Sequence, residues 1–379
     1  MIKWLFKYGF VLFLFNTIFL SIESTYFIGR VIFLSLMVIY SFAMLINFHV
    51  IKQVIFHKSF LFLLLINILN FIYFIFFHSI DDLDALQYLL ARTIQFSIIT
   101  ISLYFNFNYY RNNFQSLLVF LIAMILVISF LYDINLFSGR YSGIIWNPNM
   151  LSSFVTVAFG FLFLSNNNFT IRQYILLFCF FLVALLTGSR SVIFAFGLIY
   201  LIKYGVSLKN ILYSLSLFLI FFLLLNLKLE TSINRIFSQE IFNDRLLQFE
   251  YAYQTFIQKP YFGYGLDKYS YIDLSLVPNF LKNSGYIISS HNGYLAILTQ
   301  YGLIFGGIII LIFVIKTIEL LNSVKYDSED KVYIFCITYT LVYAVFETMI
   351  TGINEFQTIL FWFSLAFLSH KKNLKANGS

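Results

Sequence analysis

The chain contains one histidine whose position suits proton transfer. Residues 291–295 read His-Asn-Gly-Tyr-Leu and open a long apolar run, at the end of the longest polar interval of the chain. An imidazole at a membrane interface can act as a general base at neutral pH, and Asn292 is suited to cap the helix that follows. The alternative for His291 is a capping or packing role. Of the other histidines, only His78, near Asp81, falls on the same predicted side.

A second candidate is an anion-binding turn. Residues 187–191, which we call the arginine turn, read Thr-Gly-Ser-Arg-Ser directly before another apolar run. Gly188 allows a close backbone approach, the hydroxyls of Ser189 and Ser191 can cap a helix, and the first amide groups of a helix attract anions. Arg190 would add a charged arm to this substrate-binding turn. An ordinary helix start is the alternative.

A third candidate is an amphipathic segment within the long polar interval. Arg245 shares one predicted helix face with Phe249 and Ala252. The segment runs into Lys-Pro-Tyr-Phe-Gly-Tyr-Gly at residues 259–265. A helix of this kind that lies on the membrane surface would present Arg245 to a lipid headgroup. A surface linker helix without that role is the alternative.

The sequence offers little that would hold a metal ion. Residues 147–149, Asn-Pro-Asn, fit a helix start in which asparagine caps and proline follows. On the predicted outer side, no carboxylate pair and no His, Asp or Glu spacing typical of a divalent-cation site occurs beyond Asp81, Asp82 and Asp84. We therefore expect no metal and no cofactor.

The elements that must position these residues lie in a membrane. Of the 379 residues, 60% are hydrophobic and 11% are charged, and the mean hydropathy is +0.86. A soluble globule needs far more polar surface, so the composition predicts an all-α integral membrane protein. The net charge of +7 is scattered between spans, which argues against nucleic acid as a partner. Cys179 and Cys336 fall within apolar runs and suit buried packing.

Breaks at polar clusters predict about twelve transmembrane helices. Their ranges are 4–20, 27–48, 60–77, 86–105, 114–132, 148–164, 174–186, 191–202, 211–227, 292–315, 332–346 and 356–368. Four regions follow, namely helices one to five in 1–132, helices six to nine in 133–227, a large loop with an amphipathic helix in 228–291, and helices ten to twelve with a tail in 292–379. A polar interval as long as this loop is typical of a functional element.

Lysine and arginine predict which way the helices run. With both termini inside, the inner short segments carry fourteen Lys or Arg, and the outer ones carry four, Arg30, Arg92, Arg140 and Arg190. The positive-inside rule therefore predicts cytoplasmic termini and one large extracytoplasmic loop between helices nine and ten. No lysine lies in the outer short segments, an arginine bias which that rule does not explain.

The outer arginines suit an anionic ligand. A guanidinium group binds phosphate with two parallel hydrogen bonds, so the bias indicates a ligand that approaches from the outer leaflet. Arg92, Arg140 and Asn149 are further candidates for substrate binding. The alternative is that these arginines pair with acidic side chains or reach to lipid phosphates.

Four short motifs occur in order along the chain. They are Asn147-Pro148-Asn149; Leu186 to Ser191; Arg245 followed by the sequence Lys259 to Gly265; and His291 to Leu295 with Gly302 and Gly306. Together they resemble the O-antigen ligase and polymerase family of bacterial membrane glycosyltransferases. The resemblance covers about residues 140–310, and twelve helices with one large outer loop also fit that GT-C-like architecture. The first 130 residues show no likeness beyond the number of helices.

The resemblance implies a metal-independent glycosyltransferase of the bacterial cytoplasmic membrane, with its active site extracytoplasmic. Its substrate would be a polyprenyl diphosphate-linked oligosaccharide. The other partners would be a glycan acceptor, membrane lipid, and chain-length regulator and flippase proteins. The family's functional arginines map onto Arg190 and Arg245, and its essential histidine maps onto His291. The two arginines would hold the diphosphate, and His291 would accept or orient the proton of the acceptor hydroxyl.

Three functions are compatible with the sequence. A polymerase would transfer surface polysaccharide, such as O-antigen, capsule or exopolysaccharide, to another lipid-linked repeat unit, and a ligase would transfer it to a lipid core or protein. The short chain and its composition favour the polymerase. A flippase or other transporter is the alternative of another class. Transporters tend to have repeated halves and helix breaks near the midplane, whereas Pro148, Pro260 and Pro278 lie at helix starts or in the outer loop.

Overall fold

The computed structural model describes most of the chain. It covers residues 2–136, 140–189, 191–225, 243–279, 282, 289–323 and 328–376. Arg190 lies outside these residues, and for Arg245 the helix is described but the side chain is not. Of the three predicted catalytic residues, His291 alone has a described side chain.

Helices make up the described fold, and none of the described residues forms a β-strand. The α-helices are α1 (Ile2–Phe19), α2 (Tyr26–Ile46), α3 (Phe48–Ile55), α4 (Leu61–Phe77), α5 (Leu83–Tyr132), α6 (Pro148–Ser165), α7 (Ile171–Leu186), α8 (Ser191–Tyr204), α9 (Leu208–Leu225), α10 (Asn243–Gln258), α11 (Gly293–Ser323), α12 (Ser328–Tyr343) and α13 (Phe356–Ala376). Short 3₁₀ turns lie at Glu23–Thr25, Lys58–Phe60 and Leu274–Leu276. The predicted all-α class is confirmed over these residues.

Several helices are suited to cross a membrane. By length and composition, five described segments qualify: Glu23–Ile46, Lys58–Phe77, Leu83–Tyr132, Pro148–Ser165 and Gly293–Ser323. Large apolar side chains cover the outer surface of the bundle, such as Phe27, which is 75% exposed. Such a surface suits lipid, so the protein is a multi-pass membrane protein. The count of twelve spans and the side of each loop stay predictions.

The helix α5 folds back on itself. It is 50 residues long, about 75 Å if straight, which is more than twice the ~30 Å hydrocarbon core. Asn106 interrupts it with non-helical angles (φ −132°, ψ 32°). Before the bend, the ring of Phe96 lies 5.1 Å from Trp362 of α13. Beyond the bend, Phe114 lies 4.9 Å from Phe363 of the same helix. The predicted fourth and fifth helices correspond to these two halves.

An aromatic-rich core with α13 at its centre holds the helices together. Every residue from Phe356 to Lys371 is buried, and α13 contacts α1, α5, α11 and α12. A stack of Phe10 on Phe363, with ring centroids 4.0 Å apart, joins α1 to it. Residues 344–355, which we call the α12–α13 loop, lead directly into this helix. The loop is therefore anchored to the most buried element of the fold.

The helix α11 is broken near its start, where the sequence predicts one continuous span. Gly302 has a left-handed backbone (φ 70°), and the N–H of Leu303 donates to the carbonyl of Pro260 (2.7 Å) instead of to its own helix. A Cβ on Gly302 would lie 2.3 Å from backbone atoms of Tyr261. The Lys-Pro-Tyr-Phe-Gly-Tyr-Gly motif thus fills the break. It belongs to residues 243–279, which we call the α10 segment.

Helix ends gather at one end of the bundle, which we call the site end. His78 follows the last turn of α4 there, and Asp82 caps the start of α5. The start of α11 meets the α12–α13 loop at this end, because the N–H of Gly293 donates to the carbonyl of Ala344 (2.7 Å). The sequence predicts that the site end faces the extracytoplasmic side.

Candidate active site

The predicted His-Asn-Gly motif forms a helix cap at the site end. His291 adopts a left-handed backbone (φ 41°). The side-chain oxygen of Asn292 accepts hydrogen bonds from the N–H groups of Tyr294 (3.0 Å) and Leu295 (2.9 Å). Its Nδ2 donates to the carbonyl of Val345 (3.1 Å). Asn292 thus caps α11, as predicted, and ties its start to the α12–α13 loop. Its role in substrate binding stays a prediction.

His291 pairs with a carboxylate of the α12–α13 loop. Its Nδ1 lies 3.0 Å from Oε2 of Glu347, and the two side chains are 31% and 14% exposed. A carboxylate at Nδ1 keeps the proton on that nitrogen, so Nε2 is the acceptor in the neutral ring. A histidine held in this way by a carboxylate is the arrangement of a general base whose charged form is stabilised.

His78, the other histidine on this side, has both ring nitrogens engaged. Nδ1 lies 2.5 Å from Oδ2 of Asp82, and Nε2 accepts a hydrogen bond from the N–H of Leu266 (3.0 Å). The bond from His78 and a further one from the N–H of Ala85 lower the pKa of the Asp82 carboxyl. Only 6% of the His78 side chain is exposed. His78 therefore ties α4, α5 and the α10 segment together and is poorly placed for proton transfer.

Around His78, the described residues include one group of side chains that could hold a metal ion. One ligand atom from each of His78, Asp82 and Asp267 lies within 4.8 Å of the others. Both nitrogens of His78 already have partners, and Asp267 pairs with Lys268 at 2.5 Å. A metal ion would have to displace these partners. The cluster therefore fits a hydrogen-bonded tether better than a metal centre.

Arg140 joins two of the predicted motifs. Its Nε–H donates to the carbonyl of Thr187 (2.9 Å), and its Nη2 donates to the side-chain oxygen of Asn149. The N–H of Asn149 donates to Oδ1 of Asn147 (2.8 Å), which caps α6 as predicted. The guanidinium group therefore bridges the start of α6 and the arginine turn. Binding of substrate by Arg140 or Asn149 stays a prediction.

The described residues of the arginine turn, 187–189 and 191, are buried. Gly188 has a φ of +63°, which favours glycine. The N–H of Ser189 donates to Oγ1 of Thr187 (3.3 Å). The hydroxyls of Ser189 and Ser191 lie 2.9 Å apart, and these residues are 4% and 8% exposed. The turn leads into α8 as a helix start, as predicted. Anion binding here stays a prediction, since Arg190 lies outside the described residues.

Arg92 lies in the interior of the site end. The residue is 2% exposed, and its Nη1 donates to Oε1 of Gln95 (2.7 Å). Its Nη2 donates to the hydroxyl of Tyr88 (3.1 Å) and to the carbonyl of Thr351. The ring of Phe96 is centred 5.5 Å from the guanidinium carbon. The structure therefore places Arg92 against the α12–α13 loop, and its predicted role as a substrate ligand stays a prediction.

Two carboxylates that no motif in the sequence indicates belong to the site end. Glu347 and Glu355 lie there, on the α12–α13 loop. Both stand between the predicted helices eleven and twelve, so the predicted topology alone assigns them to the outer side. The predicted topology is therefore enough to identify Glu347 and Glu355 as carboxylates of the outer side. Their partners depend on contacts that are distant in sequence.

Two hydroxyl groups hold Glu355. The hydroxyl oxygen of Tyr269 lies 2.8 Å from its Oε1, and its Oε2 accepts a hydrogen bond from Thr358 (2.9 Å). Loss of solvation raises the pKa of Glu355 to about 7, against the opposing effects of these hydrogen bonds and of the charge on Arg92. Glu355 can therefore exchange a proton near neutral pH.

The α10 segment has a small core of its own. Ala252, Ile272 and Val277 form a buried cluster, and Leu295 of α11 packs against it. Arg245 lies two helical turns before Ala252, on the same face of α10. The segment therefore docks on the part of α11 that begins with the histidine motif. The proposed contact between Arg245 and a headgroup stays a prediction.

The fold and this site define a multi-pass helical membrane protein with a polar site at one end of the bundle. A family model described as O-Antigen ligase matches residues 175–312. The match confirms, over this segment, the resemblance drawn from the motifs. It includes the arginine turn, Arg245 and His291, and it ends before Glu347. No curated protein matches the chain.

Proposed function

We propose that the protein is a surface-polysaccharide polymerase. It transfers a glycan from a polyprenyl diphosphate carrier to another lipid-linked repeat unit at the extracytoplasmic face of the cytoplasmic membrane. The observation that carries this proposal is the pair formed by His291 and Glu347. His291 lies within the segment that matches the family, and the pair offers a base for an acceptor hydroxyl.

The transfer needs a base at the acceptor. Nε2 of His291 accepts the proton of the acceptor hydroxyl. At the same time, the oxygen of that hydroxyl forms a bond to the anomeric carbon of the donor glycan. The bond between that carbon and the diphosphate oxygen breaks, and polyprenyl diphosphate leaves with the electron pair. Glu347 stabilises the positive charge that develops on the imidazole ring.

The transfer also needs positive charge at the leaving group. Arg190 on the arginine turn and Arg245 on α10 hold the diphosphate, and the first amide groups of α8 add further donors. Arg140 supports the turn from the side of α6 through its bond to Thr187. The reaction in this form uses no metal and no cofactor.

A ligase is the nearest alternative, because the matching family is described as O-Antigen ligase. It would use the same donor and the same base but a lipid core or protein as acceptor. A transporter is disfavoured. The break in α11 at Gly302 lies at the site end and is filled by the 259–265 motif, whereas a transporter places such breaks around a site at the midplane.

The phenotype of a deletion strain separates the first two functions. A polymerase deletion leaves lipid core that carries a single repeat unit, and a ligase deletion accumulates polymer on the polyprenyl carrier. Complementation with the His291→Ala variant should fail to restore the polymer while the protein remains inserted. Accumulated lipid-linked polymer in the deletion strain would overturn the polymerase proposal and support the ligase.

The side of the membrane is tested with single cysteines. In a background without Cys179 and Cys336, Ser275→Cys probes the α10 segment and Ser323→Cys probes the opposite end of α11; both positions are exposed. A membrane-impermeant maleimide should label Ser275→Cys in spheroplasts and Ser323→Cys only after lysis. The reverse pattern would invert the proposed topology.

A further inference from the structure

We propose that Arg92 and Tyr269 are positioning residues, which fix the α12–α13 loop from two sides so that Glu347 meets His291. This inference rests on the proposed function. It gives Arg92 a role other than substrate binding and gives Tyr269 a role that no sequence motif suggests.

The rest of the fold holds the α12–α13 loop by its carbonyl groups. These accept hydrogen bonds from donors outside the loop at Ala344, Val345, Thr348, Ile350, Thr351 and Ile353. The donors come from α5, the α10 segment, the start of α11 and α13. Backbone groups away from water need such partners. A loop bound at this many points presents its side chains in one arrangement.

One residue of the loop confirms how firmly it is held. Ile350 has a φ of 109°, which a β-branched residue rarely adopts. Its N–H donates to Oγ1 of Thr358 (3.2 Å), and its carbonyl accepts from Nε1 of Trp362 (3.0 Å). A backbone conformation of this kind persists only where the surroundings impose it. Loosening those surroundings would let the loop relax away from the geometry that brings Glu347 to His291.

Arg92 holds the loop from the side of α5. Its Nη2 donates to the carbonyl of Thr351 and its Nη1 to the side chain of Gln95. Gln95 in turn donates to the carbonyl of Ile353 (3.2 Å). Arg92 and Gln95, which lie within one turn of α5, therefore bind two carbonyl groups of the loop. A lysine has one nitrogen and cannot reproduce the planar fork that makes both contacts.

Tyr269 holds the loop from the side of the α10 segment. Its hydroxyl donates to the carbonyl of Thr348, the residue that directly follows Glu347. The same hydroxyl lies 2.8 Å from Oε1 of Glu355 at the other end of the loop. Tyr269 thus links both carboxylate-bearing parts of the loop to the segment that carries Arg245. Its removal should free the loop next to Glu347 without removing any charge.

The kinetic test uses purified protein and a lipid-linked repeat unit. Tyr269→Phe and Arg92→Lys should each lower kcat about tenfold and leave KM for the donor within about twofold. Added to Glu347→Gln, either change should cause little further loss, because residues that act through one group are not additive. The matched controls are Tyr174→Phe and Arg172→Lys, at exposed positions on α7, and both should behave as the wild type.

Hydrogen exchange gives a readout that does not depend on activity. In Tyr269→Phe, the peptide that covers residues 344–355 should exchange about fivefold faster, as expected for the loss of one buried hydrogen bond. A wild type without transferase activity would contradict the proposed function, and this exchange measurement would still decide the inference. Should Arg92→Lys fail to fold, the Tyr269 variant decides alone.

Two results would overturn the inference. The first is unchanged exchange of the loop together with unchanged kcat in Tyr269→Phe. The second is an Arg92→Lys variant with raised KM for the donor and unchanged kcat, since that pattern assigns Arg92 to ground-state binding of the substrate.

Discussion

His291 and Glu347 lie 56 residues apart in the chain, yet Nδ1 of the first is 3.0 Å from Oε2 of the second. The chain segments that carry the two residues are also joined independently of this contact, because Nδ2 of Asn292 donates a hydrogen bond to the carbonyl of Val345. The pairing of base and carboxylate therefore follows from the docking of the α12–α13 loop on the start of α11.

Loss of the negative charge at Glu347 should impair the base. We expect Glu347→Gln to lower the rate of polymer formation by at least about tenfold, because an amide cannot stabilise the imidazolium ion. The rate is measured with purified protein and a lipid-linked repeat unit. Glu250→Gln, at an exposed position on α10, is the control. An unchanged rate in Glu347→Gln would remove the carboxylate from the mechanism.

Binding of the donor should depend on the planar shape of the Arg140 guanidinium group as well as on its charge. Arg140→Lys keeps the charge but cannot bind Thr187 and Asn149 together, so the arginine turn should loosen. We expect about tenfold lower kcat/KM for the donor, with Arg172→Lys as the exposed control. Wild-type kinetics in Arg140→Lys would show that the bridge between α6 and the turn is dispensable.

The break in α11 should tolerate no side chain. In Gly302→Ala, the new Cβ would lie 2.3 Å from backbone atoms of Tyr261 at a left-handed φ, so we expect a destabilisation of about 1–3 kcal/mol or more. The melting temperature and the yield of folded protein measure it. Gly307→Ala is the matched control, because its Cβ would meet nothing within 4 Å. Equal stability of the two variants would contradict the packing of the 259–265 motif into the break.

Glu355 should make stability depend on pH. Its pKa is raised from 4.5 to about 7 by loss of solvation, so the folded state binds the proton more tightly than the unfolded state. Its contribution to stability is complete below about pH 4.5 and is lost as the pH rises through about 7. In Glu355→Gln, we expect the fall in melting temperature between pH 5 and pH 8 to shrink by roughly 2–4 °C. An identical fall in both proteins would refute the raised pKa.

Features that depend on neighbours in the chain were predictable from the sequence. Asn147 caps α6 ahead of Pro148 and Asn292 caps α11, as residue type alone indicates. The bends were not predictable in this way. Asn106 turns α5 back without a proline or glycine, and Gly302 breaks α11 because a distant motif fills the gap. Both bends depend on tertiary contacts that override helix propensity.

In the candidate site, too, motifs reveal single residues but not the contacts between residues that are distant in the sequence. The motifs identified His291, and the matching family segment includes it. Motifs could not show that Arg140 reaches Thr187 or that Glu347 reaches His291, because each pair joins residues far apart in the chain. The predicted topology could have placed Glu347 on the outer side. It could not have shown which side chain meets it.

His291 is the proposed base of the glycan transfer reaction. The most direct measurement is the initial rate of polymer formation by His291→Ala in proteoliposomes that contain a lipid-linked repeat unit. His49→Ala, at an exposed position on α3, is the control, and the melting temperature of both variants verifies folding. We predict a rate at least about 100-fold below wild type for His291→Ala and a wild-type rate for the control. Folded His291→Ala protein that forms polymer at the wild-type rate would show that His291 is not the base.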